Sequence, residues 1–383
     1  MLVLWTGYRA GAQACRSLAR AGHHVVGAHP DGDAGGSSRW CRRPLRYPPP
    51  GRDAEAFLGR LTEICRTERI DVVLPVDEDI VRLFGQRRPD LAGAVSVGPD
   101  EHQYRALCDK RELARSALAV GVDHPGTVTV GVDGPDGPWP ALPCMVKPVV
   151  SHSDMDAAGI SFAATVEERD AAVARLLRAG IDALVQERID GRRWVGHCVR
   201  DAARVDVVCS RISRDYPRRT GVACVQRTTE PPPGLVAAIE RLLGHVDYRG
   251  PATISFLERD GRLYVHDVNL RLGASVGLMV GSGFDLPQRA VEVALGVPAP
   301  ARAQWAPTRY VWLDGELEAL RDALKGRDVG ESAARVAARI AAAAALPGRM
   351  TDPGILDPWW FREKTARVGR VVSRRLGRSG EGR

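Results

Sequence analysis

The stretch 251-PATISFLERDGRLYVHDVNLR-271 contains two apolar segments on either side of a Gly-containing turn, which is the pattern of a β-hairpin. Its second segment ends in Asp267, Asn269 and Arg271 at alternate positions. Because successive side chains of a strand point to opposite faces, these three groups are expected on one side of the sheet. A carboxylate, an amide oxygen and a guanidinium together suit a hard metal ion that carries phosphates, and a solvated strand end is the alternative.

The hairpin is predicted to turn through three residues, 259–261, with the glycine in the left-handed position of a bulge. Ser255 would then lie opposite Val265 and share a face with Asp267. Glu258 would point to the other face and stay away from the metal. One or two protein oxygens are enough for Mg²⁺, which usually keeps waters and substrate phosphates among its octahedral ligands.

Length and composition indicate a soluble protein of two or three domains: 383 residues, 44% apolar and 26% charged. Met1 leads directly into an apolar strand-length run without a basic region, and no apolar run reaches the ~18 residues needed to span a bilayer. The eight cysteines are scattered and form no C-x-x-C pair, which favours reduced thiols over disulfides or a zinc site. These features predict a cytoplasmic protein.

The net charge of +7 is concentrated at the carboxyl end, because residues 362–383 carry eight Lys or Arg against two Glu. The body of the chain is therefore near neutral, and it does not have the composition of a nucleic-acid-binding protein. We expect the basic tail to be a solvated terminus, with contact to nucleic acid or an anionic membrane as the alternative.

Lysine is rare in this chain, with four lysines against fifty arginines. Lys110 and Lys147 therefore stand out, because a compact ammonium group suits a phosphate contact that a planar guanidinium fits less well. Chance retention of a lysine is the alternative explanation for either residue alone.

The first hundred residues alternate between strand and helix patterns, which predicts a parallel α/β unit. The segment 7-GYRAG-11 departs from G-x-G-x-x-G, and no acidic residue closes the second strand, so a Rossmann-like unit without a dinucleotide is favoured over a dehydrogenase. The predicted elements are strand 2–5, helix 9–21, strand 23–28, helix 53–68 and strand 70–76.

The remaining chain mixes strands and helices, with a Gly/Pro-rich loop at 131–143 that separates two regions. Asp100 is the predicted N-cap of the first helix. The predicted elements are helix 100–122, strand 144–150, helix 166–179, strand 183–189, strands near 195–200 and 204–210, an arginine-rich loop 211–221, helix 234–244, the hairpin, and helices 314–325, 331–346 and 358–376.

Several segments, in the same order, resemble the ATP-grasp superfamily, and more narrowly its carboxylate–amine ligase-like branch of predicted ATP-dependent carboligases. The resemblance extends from Leu2 to about Pro298. The segments that carry it are 2–21, 37-SSRWCRRPLRYPPP-50, 108-CDKRELARSALAVGV-122, 144-CMVKPVV-150, the hinge 184-LVQERIDG-191, 261-GRLYVHDVNLR-271 in place of the usual E-x-N-x-R strand, and 273-GASVGLMVGSGFDLPQRAVEVALG-296.

The fold that this resemblance implies is of the α/β (α+β grasp) class. A Rossmann-like parallel α/β domain would occupy 1–100, and an ATP-grasp domain of two α+β subdomains would occupy 101–300. The small subdomain is expected at about 125–190 and the metal-binding subdomain at about 191–300. A helical extension with a basic tail would occupy 301–383.

The implied cofactors are ATP and Mg²⁺, with Asp267 and Asn269 binding the metal. By resemblance, Lys147 would contact the α- and β-phosphates and Lys110 would also reach phosphate. Arg271 would stabilise the transferred γ-phosphoryl group, with Arg211 as a second cation. The remaining nucleotide contacts would come from the hinge and from the loop after Lys147: Ser151, Gln186, Glu187, Arg188 and Ile189.

The implied reaction starts when a substrate carboxylate attacks the γ-phosphorus and forms an acyl phosphate and ADP. An amine then attacks the activated carbonyl and releases phosphate. The partners would be a small-molecule carboxylate, a small-molecule amine and, in a homodimer, a second copy of the chain. A catalytically weakened nucleotide-binding protein and an ATP-grasp phosphotransferase are the alternatives.

The sequence departs from the family pattern at several positions. Ser255 stands where a metal-binding Glu or Gln is usual, and Asp267 replaces the usual Glu. The loop 151–161, which usually closes over the phosphates, contains only one glycine, and Trp194 falls where a ribose-binding carboxylate often lies. His152 is expected to be a solvated loop residue, with a contact to the substrate as the alternative. A second group, near the arginine-rich loop, is either solvated or a lid for an anionic substrate: Arg214, Arg218 and Arg219.

Overall fold

The structure is a computed structural model that describes residues 1–32, 39–41, 44–149, 159–218, 221–298 and 302–345. Its first unit is a parallel sheet of order β3-β2-β1-β4-β5, so the predicted Rossmann-like domain is confirmed. One face of this sheet packs against α2 and α3, and the other packs against α1. The elements are β1 (Leu2–Leu4), α1 (Arg9–Arg20), β2 (Val26–Pro30), β3 (Pro44–Tyr47), α2 (Ala54–Thr67), β4 (Val72–Leu74), α3 (Glu78–Arg87) and β5 (Val95–Ser96).

Two short helices follow, α4 (Glu101–Cys108) and α5 (Lys110–Ala119), where the sequence predicts a single helix. The helix breaks at Asp109, which has extended backbone angles and accepts a hydrogen bond from the Arg111 N–H as the N-cap of α5. The predicted N-cap Asp100 is confirmed, and it forms a capping box with Gln103. The break places Lys110 in the first turn of a helix.

The next unit is an antiparallel sheet of order β7-β6-β10-β8-β9, covered on one face by α6. Val146 and Val185 face α6, and the alternation of the strands therefore puts Lys147 and Gln186 on the opposite face. The elements are β6 (Thr127–Gly131), β7 (Gly134–Pro135), β8 (Cys144–Pro148), β9 (Ser161–Ala163), α6 (Val166–Arg178) and β10 (Ala183–Glu187).

The largest sheet is antiparallel, with the order β15-β14-β11-β12-β13-β16. One face packs against α4, α5 and α7, while residues of the other face join α1, α8 and α9 in a common core with the first sheet. The predicted helix 358–376 lies outside the described residues. The elements are β11 (Arg192–Arg200), β12 (Val205–Tyr216), β13 (Val222–Thr228), α7 (Leu235–His245), β14 (Gly250–Arg259), β15 (Arg262–Asn269), α8 (Val276–Ser282), α9 (Leu286–Ala294), β16 (Arg309–Val311), α10 (Leu313–Leu324) and α11 (Ala333–Ala345).

The turn between β14 and β15 has two residues, and the predicted three-residue turn is wrong. Arg259 pairs with Arg262, and the residues between them, Asp260 and Gly261, have φ angles of 53° and 76°. Positive φ at both central positions is the geometry of a type I′ turn, which Asp-Gly favours because its twist matches that of the flanking strands.

A β-bulge at His266 then shifts the pairing of β15 with β14 by one residue further along the hairpin. Phe256 pairs with Val265, and the next pair is Ser255 with Asp267, so the predicted pairing of Ser255 with Val265 is also wrong. The extra residue in β15 nevertheless puts Ser255 and Asp267 on one face, as the sequence predicts.

The segment predicted as an arginine-rich loop is largely strand, because β12 continues to Tyr216. Arg214 is buried and forms an ion pair with Glu316 of α10 at 2.8 Å, while Arg218 pairs with exposed Asp328 at 2.8 Å. Arg214 is therefore not available as a lid for a substrate, Arg218 lies on the surface in an exposed ion pair, and Arg219 lies outside the described residues.

The eight cysteines all lie in described parts of the chain and carry free thiols, seven of them buried. This agrees with the reduced state predicted from their spacing. In the same described ranges, no helix has both the length and the apolar character needed to cross a membrane.

We predict that Glu316→Gln lowers the free energy of unfolding by about 3 kcal/mol, because it removes the buried carboxylate that pairs with both Arg214 and Arg339 and leaves Arg214 only the longer contact with Glu331 at 3.5 Å. Asp328→Asn is the matched control and should cost about 0.5 kcal/mol, since its ion pair with Arg218 is exposed. Urea unfolding measures both values. Equal effects of the two substitutions would contradict the structural role given to Arg214.

Candidate functional site

Three polar groups meet at the end of β15. The Asn269 amide donates to Asp267 Oδ2 at 2.6 Å, and Arg271 Nη2 donates to Asn269 Oδ1 at 3.1 Å. Across the hairpin, Ser255 lies opposite Asp267 and Thr253 lies opposite Asn269. The structure therefore brings Asp267, Asn269 and Arg271 together in the way the alternate spacing predicts.

Lys147 lies in β8 with only 6% of its surface exposed. Its ammonium group donates to Gln186 Oε1 at 3.0 Å, and the Gln186 amide donates in turn to Thr127 at 3.0 Å. Burial, and then the nearby charge of Lys110, lower the pKa of Lys147 to about 7, against the opposing effect of Asp267. Lys110 and Asp267 thus both act electrostatically on Lys147, although the three residues come from separate segments.

Two histidines, which sequence reasoning did not assign to the site, lie among these cations. Burial and then the charge of Lys147 lower the pKa of His266 well below its ordinary value, and Arg193 contributes next. Burial lowers the pKa of His124 to about 4. His266 adjoins Asp267 in the stretch that starts the sequence analysis, but the bulge that displaces it leaves no mark in the residue pattern.

The hinge residues are partly occupied by contacts within the protein. Glu187 forms an ion pair with Arg259 at 3.0 Å, and the backbone N–H groups of Glu187 and Arg188 donate to carbonyl oxygens next to β6 and β8 at 2.7 and 3.1 Å. Among the described residues, the N–H of Ile189 has no hydrogen-bond partner. Of these three hinge N–H groups, that of Ile189 is therefore the one without a partner among the described residues, while predicted Ser151 lies outside them.

Arg211 is not brought to this site. It pairs with Trp194 in β11 and with Arg227 in β13, so it lies on the face of Trp194, opposite to the face of Asp267. Trp194 belongs to the apolar core of that face and donates to Glu258 at 2.7 Å. The position that often binds ribose in the family is therefore occupied by a core residue, Trp194. As predicted, Glu258 points away from the face that carries Asp267, which we call the metal face.

The donor set at Asp267 fits one Mg²⁺ ion. The described residues contain no group of three or more His, Cys, Asp or Glu side chains that could hold a metal. Asp267 supplies a carboxylate, Asn269 an amide oxygen and Ser255 a hydroxyl, and a hard cation bound through few protein oxygens completes its shell with waters and phosphates. Asp267 and Asn269 would hold the ion, with Ser255 beside them.

The fold has clear counterparts among solved structures. An L-amino acid ligase from Bacillus licheniformis is 15% identical, with a TM-score of 0.62 over 76% of this chain and 73% of that one. A biotin carboxylase from Campylobacter jejuni in complex with a β,γ-ATP compound is 14% identical, with a TM-score of 0.63 over 80% of this chain and 74% of that one. The N5-carboxyaminoimidazole ribonucleotide synthetase of Thermus thermophilus is 17% identical, with a TM-score of 0.60 over 81% of this chain and 82% of that one.

The chain has the ATP-grasp fold. No family profile and no curated protein matches the sequence. At identities this low, the structural matches establish the architecture alone. In this architecture a small antiparallel sheet and a larger one each present a polar face. In this chain those faces carry Lys147 and Asp267, respectively.

We predict that Lys147→Met raises the free energy of unfolding at pH 7 by roughly 2–4 kcal/mol, because the folded state no longer holds a buried amine. The pKa of Lys147 falls from 10.5 when unfolded to about 7 when folded, so the unfolded chain binds more protons between these values. The gain should therefore shrink as the pH rises from 7 towards 10.5.

Urea unfolding between about pH 6.5 and 9.5 tests this prediction, with exposed Lys325→Met as the control that should show no such trend. A gain from Lys147→Met that is constant with pH would contradict the assigned protonation.

Proposed function

We propose that this protein is an ATP-dependent ligase, which activates a carboxylate as an acyl phosphate and couples it to an amine with release of ADP and phosphate. The observation that carries this proposal is the electrostatic proximity of Lys147 to both Lys110 and Asp267, with Asp267 at the strand end where Asn269 and Arg271 also meet. Cations on one side and metal-binding oxygens on the other suit a nucleotide triphosphate with its Mg²⁺.

Each residue has a role that follows from its position. Lys147 and Lys110 offset the negative charge of the phosphates, and a triphosphate would restore the protonated form of Lys147 that burial disfavours. The Ile189 N–H would donate to the adenine edge. When bound, Mg²⁺ would act as a Lewis acid and neutralise charge on the phosphate oxygens.

The transfer itself needs positioning more than covalent chemistry by the protein. The attacking carboxylate oxygen forms a bond to the γ-phosphorus while the bond to the ADP oxygen breaks, and Arg271 stabilises the charge on the equatorial oxygens. An amine then forms the C–N bond, loses a proton, and displaces phosphate from the acyl carbon. No nucleophilic side chain is required at either step.

The similar solved structures support this class of reaction, since they are those of an L-amino acid ligase, a biotin carboxylase and an N5-carboxyaminoimidazole ribonucleotide synthetase. We propose small-molecule carboxylate and amine substrates on this basis. Arg214 no longer indicates an anionic substrate, because its guanidinium is buried in an ion pair with Glu316. The homodimer and the cytoplasmic location both stay predictions.

A second candidate is a nucleotide-binding protein with weak or no turnover. The position opposite Asp267 holds Ser255, so the hairpin offers a hydroxyl where a second metal ion would need another carboxylate. Restoring that carboxylate with Ser255→Glu separates the two functions: if the serine has cost the protein its turnover, the substitution should increase Mg²⁺-dependent ADP release.

We predict that Mg²⁺ strengthens ATP binding to the native protein at least about tenfold and that Asp267→Asn removes most of this gain, because it replaces the carboxylate that would hold the metal. Asp260→Asn, at the exposed turn of the same hairpin, is the control and should leave the gain intact. Isothermal titration calorimetry with and without Mg²⁺ measures the affinities.

An ADP-release screen of carboxylates and amines then tests turnover. ATP binding that is independent of Mg²⁺, with no ADP released by any pair, would favour the nucleotide-binding protein. Absence of ATP binding altogether would overturn both functions.

A further inference from the structure

The first helical residue of α3, Glu78, contacts the predicted phosphoryl-stabilising arginine from a different domain. Glu78 Oε2 accepts a hydrogen bond from Arg271 Nε at 2.7 Å, and the two side chains are 20% and 17% exposed. Glu78 is 193 residues away in sequence and was not among the residues predicted for the site. The pair therefore joins the N-terminal sheet domain to the strand that carries Asp267.

Glu78 is itself held from two directions. Its helix starts at N-cap Asp77, whose carboxylate accepts from the N–H groups of Asp79 and Ile80. Tyr104 of α4 lies close to Glu78, because burial followed by the charge of Glu78 raises the pKa of Tyr104 above its ordinary value. A carboxylate at the start of a capped helix, with a buried tyrosine beside it, has little freedom to move and so gives Arg271 a fixed partner.

Arg271 completes a continuous line of contacts to the metal face. Besides Glu78, its guanidinium donates to Asn269 Oδ1 at 3.1 Å and to the Leu272 carbonyl at 3.3 Å. Asn269 then donates to Asp267 at 2.6 Å. These contacts use three of the five N–H donors of a guanidinium group, which leaves two for phosphoryl oxygens.

We propose that Glu78 is a positioning residue that holds Arg271 in the orientation needed to bind the γ-phosphoryl group. The proposal rests on the ligase function proposed above. An arginine on a flexible stem gives up side-chain entropy when it grips a phosphate, and a partner that fixes the guanidinium beforehand removes that cost at the moment of binding. In this arrangement the N-terminal domain takes part in phosphoryl transfer through one carboxylate.

A plain structural ion pair would also join the two domains, but it has different consequences. Loss of such a pair lowers the free energy of unfolding and weakens every ligand to a similar extent. Loss of a positioning contact weakens only ligands that carry the γ-phosphate, because ADP has no group for Arg271 to bind. The ratio of the dissociation constants of Mg²⁺-ADP and of a Mg²⁺ complex of a non-hydrolysable ATP analogue isolates this effect.

The test is calorimetric titration of the native protein and of Glu78→Gln with both nucleotides. We expect Glu78→Gln to reduce the ratio about tenfold while the affinity for Mg²⁺-ADP changes less than about twofold, as for the loss of one hydrogen bond to a charged group. Arg271→Lys should reduce the ratio similarly, and the double variant should show no further loss. Asp79→Asn, which removes the ion pair with Arg82 on the same helix, should leave the ratio unchanged.

Tyr104→Phe is the second variant, for the case that Glu78→Gln does not fold, and it should lower the ratio by a smaller factor. If Glu78→Gln weakens the binding of both nucleotides equally and lowers the melting temperature, the pair is a structural ion pair and the proposal is overturned. An unchanged ratio would also overturn it. If the native protein binds neither nucleotide, the ligase function fails first. If it binds both with equal affinity, only the positioning role fails.

Discussion

A buried ammonium group between two sheets is the constraint that organises the functional part of this molecule. Lys147 is 6% exposed, and in the described part of the chain its ammonium contacts a neutral amide rather than a carboxylate. Holding a charge there costs free energy unless an anion enters, because the interior solvates ions poorly. The same region contains Lys110, Arg193 and two histidines whose pKa values are lowered, so an anionic ligand would complete its electrostatics.

The chain divides its cations by task. Arginines form the internal ion pairs: Arg214 with Glu316, Arg271 with Glu78, and Arg289 with both Asp201 and Glu292. The planar guanidinium suits such pairs because several donors can be satisfied at once. The two lysines near Asp267 act there as compact charges instead, and their rarity in the sequence was the feature that singled them out.

Most of the sequence-based predictions that the structure confirms came from the periodic patterns of strands and helices. The shared face of Asp267, Asn269 and Ser255 and the parallel first domain both follow from local patterns. The two-residue turn and the bulge at His266 compensate each other, so the predicted face was right although the predicted register was wrong. A bulge depends on packing across the whole sheet and is not encoded by neighbouring residues alone.

Contacts distant in sequence were the part that local patterns could not reach. Arg211 stands in an arginine-rich run that has the composition of a loop, and only the pairing of β12 with β11 and β13 shows that it faces away from the metal. Glu78 is a second example. A carboxylate is favourable at the start of any helix, so nothing in the sequence indicates that Glu78 also contacts the site. Its contact with Arg271 depends on how the first sheet docks against α8 and α9.

The C-terminal region, expected as a separate helical extension, supplies β16 as the edge strand of the large sheet. A shortened chain that ended near residue 300 would therefore leave β13 with unpaired backbone groups along one side. Exposed strand edges recruit other chains and promote aggregation. The grasp domain is thus not a detachable unit at its carboxyl side: the smallest piece that keeps its sheet closed by a native neighbour extends at least through Val311, and through α10 if Arg214 is to keep Glu316.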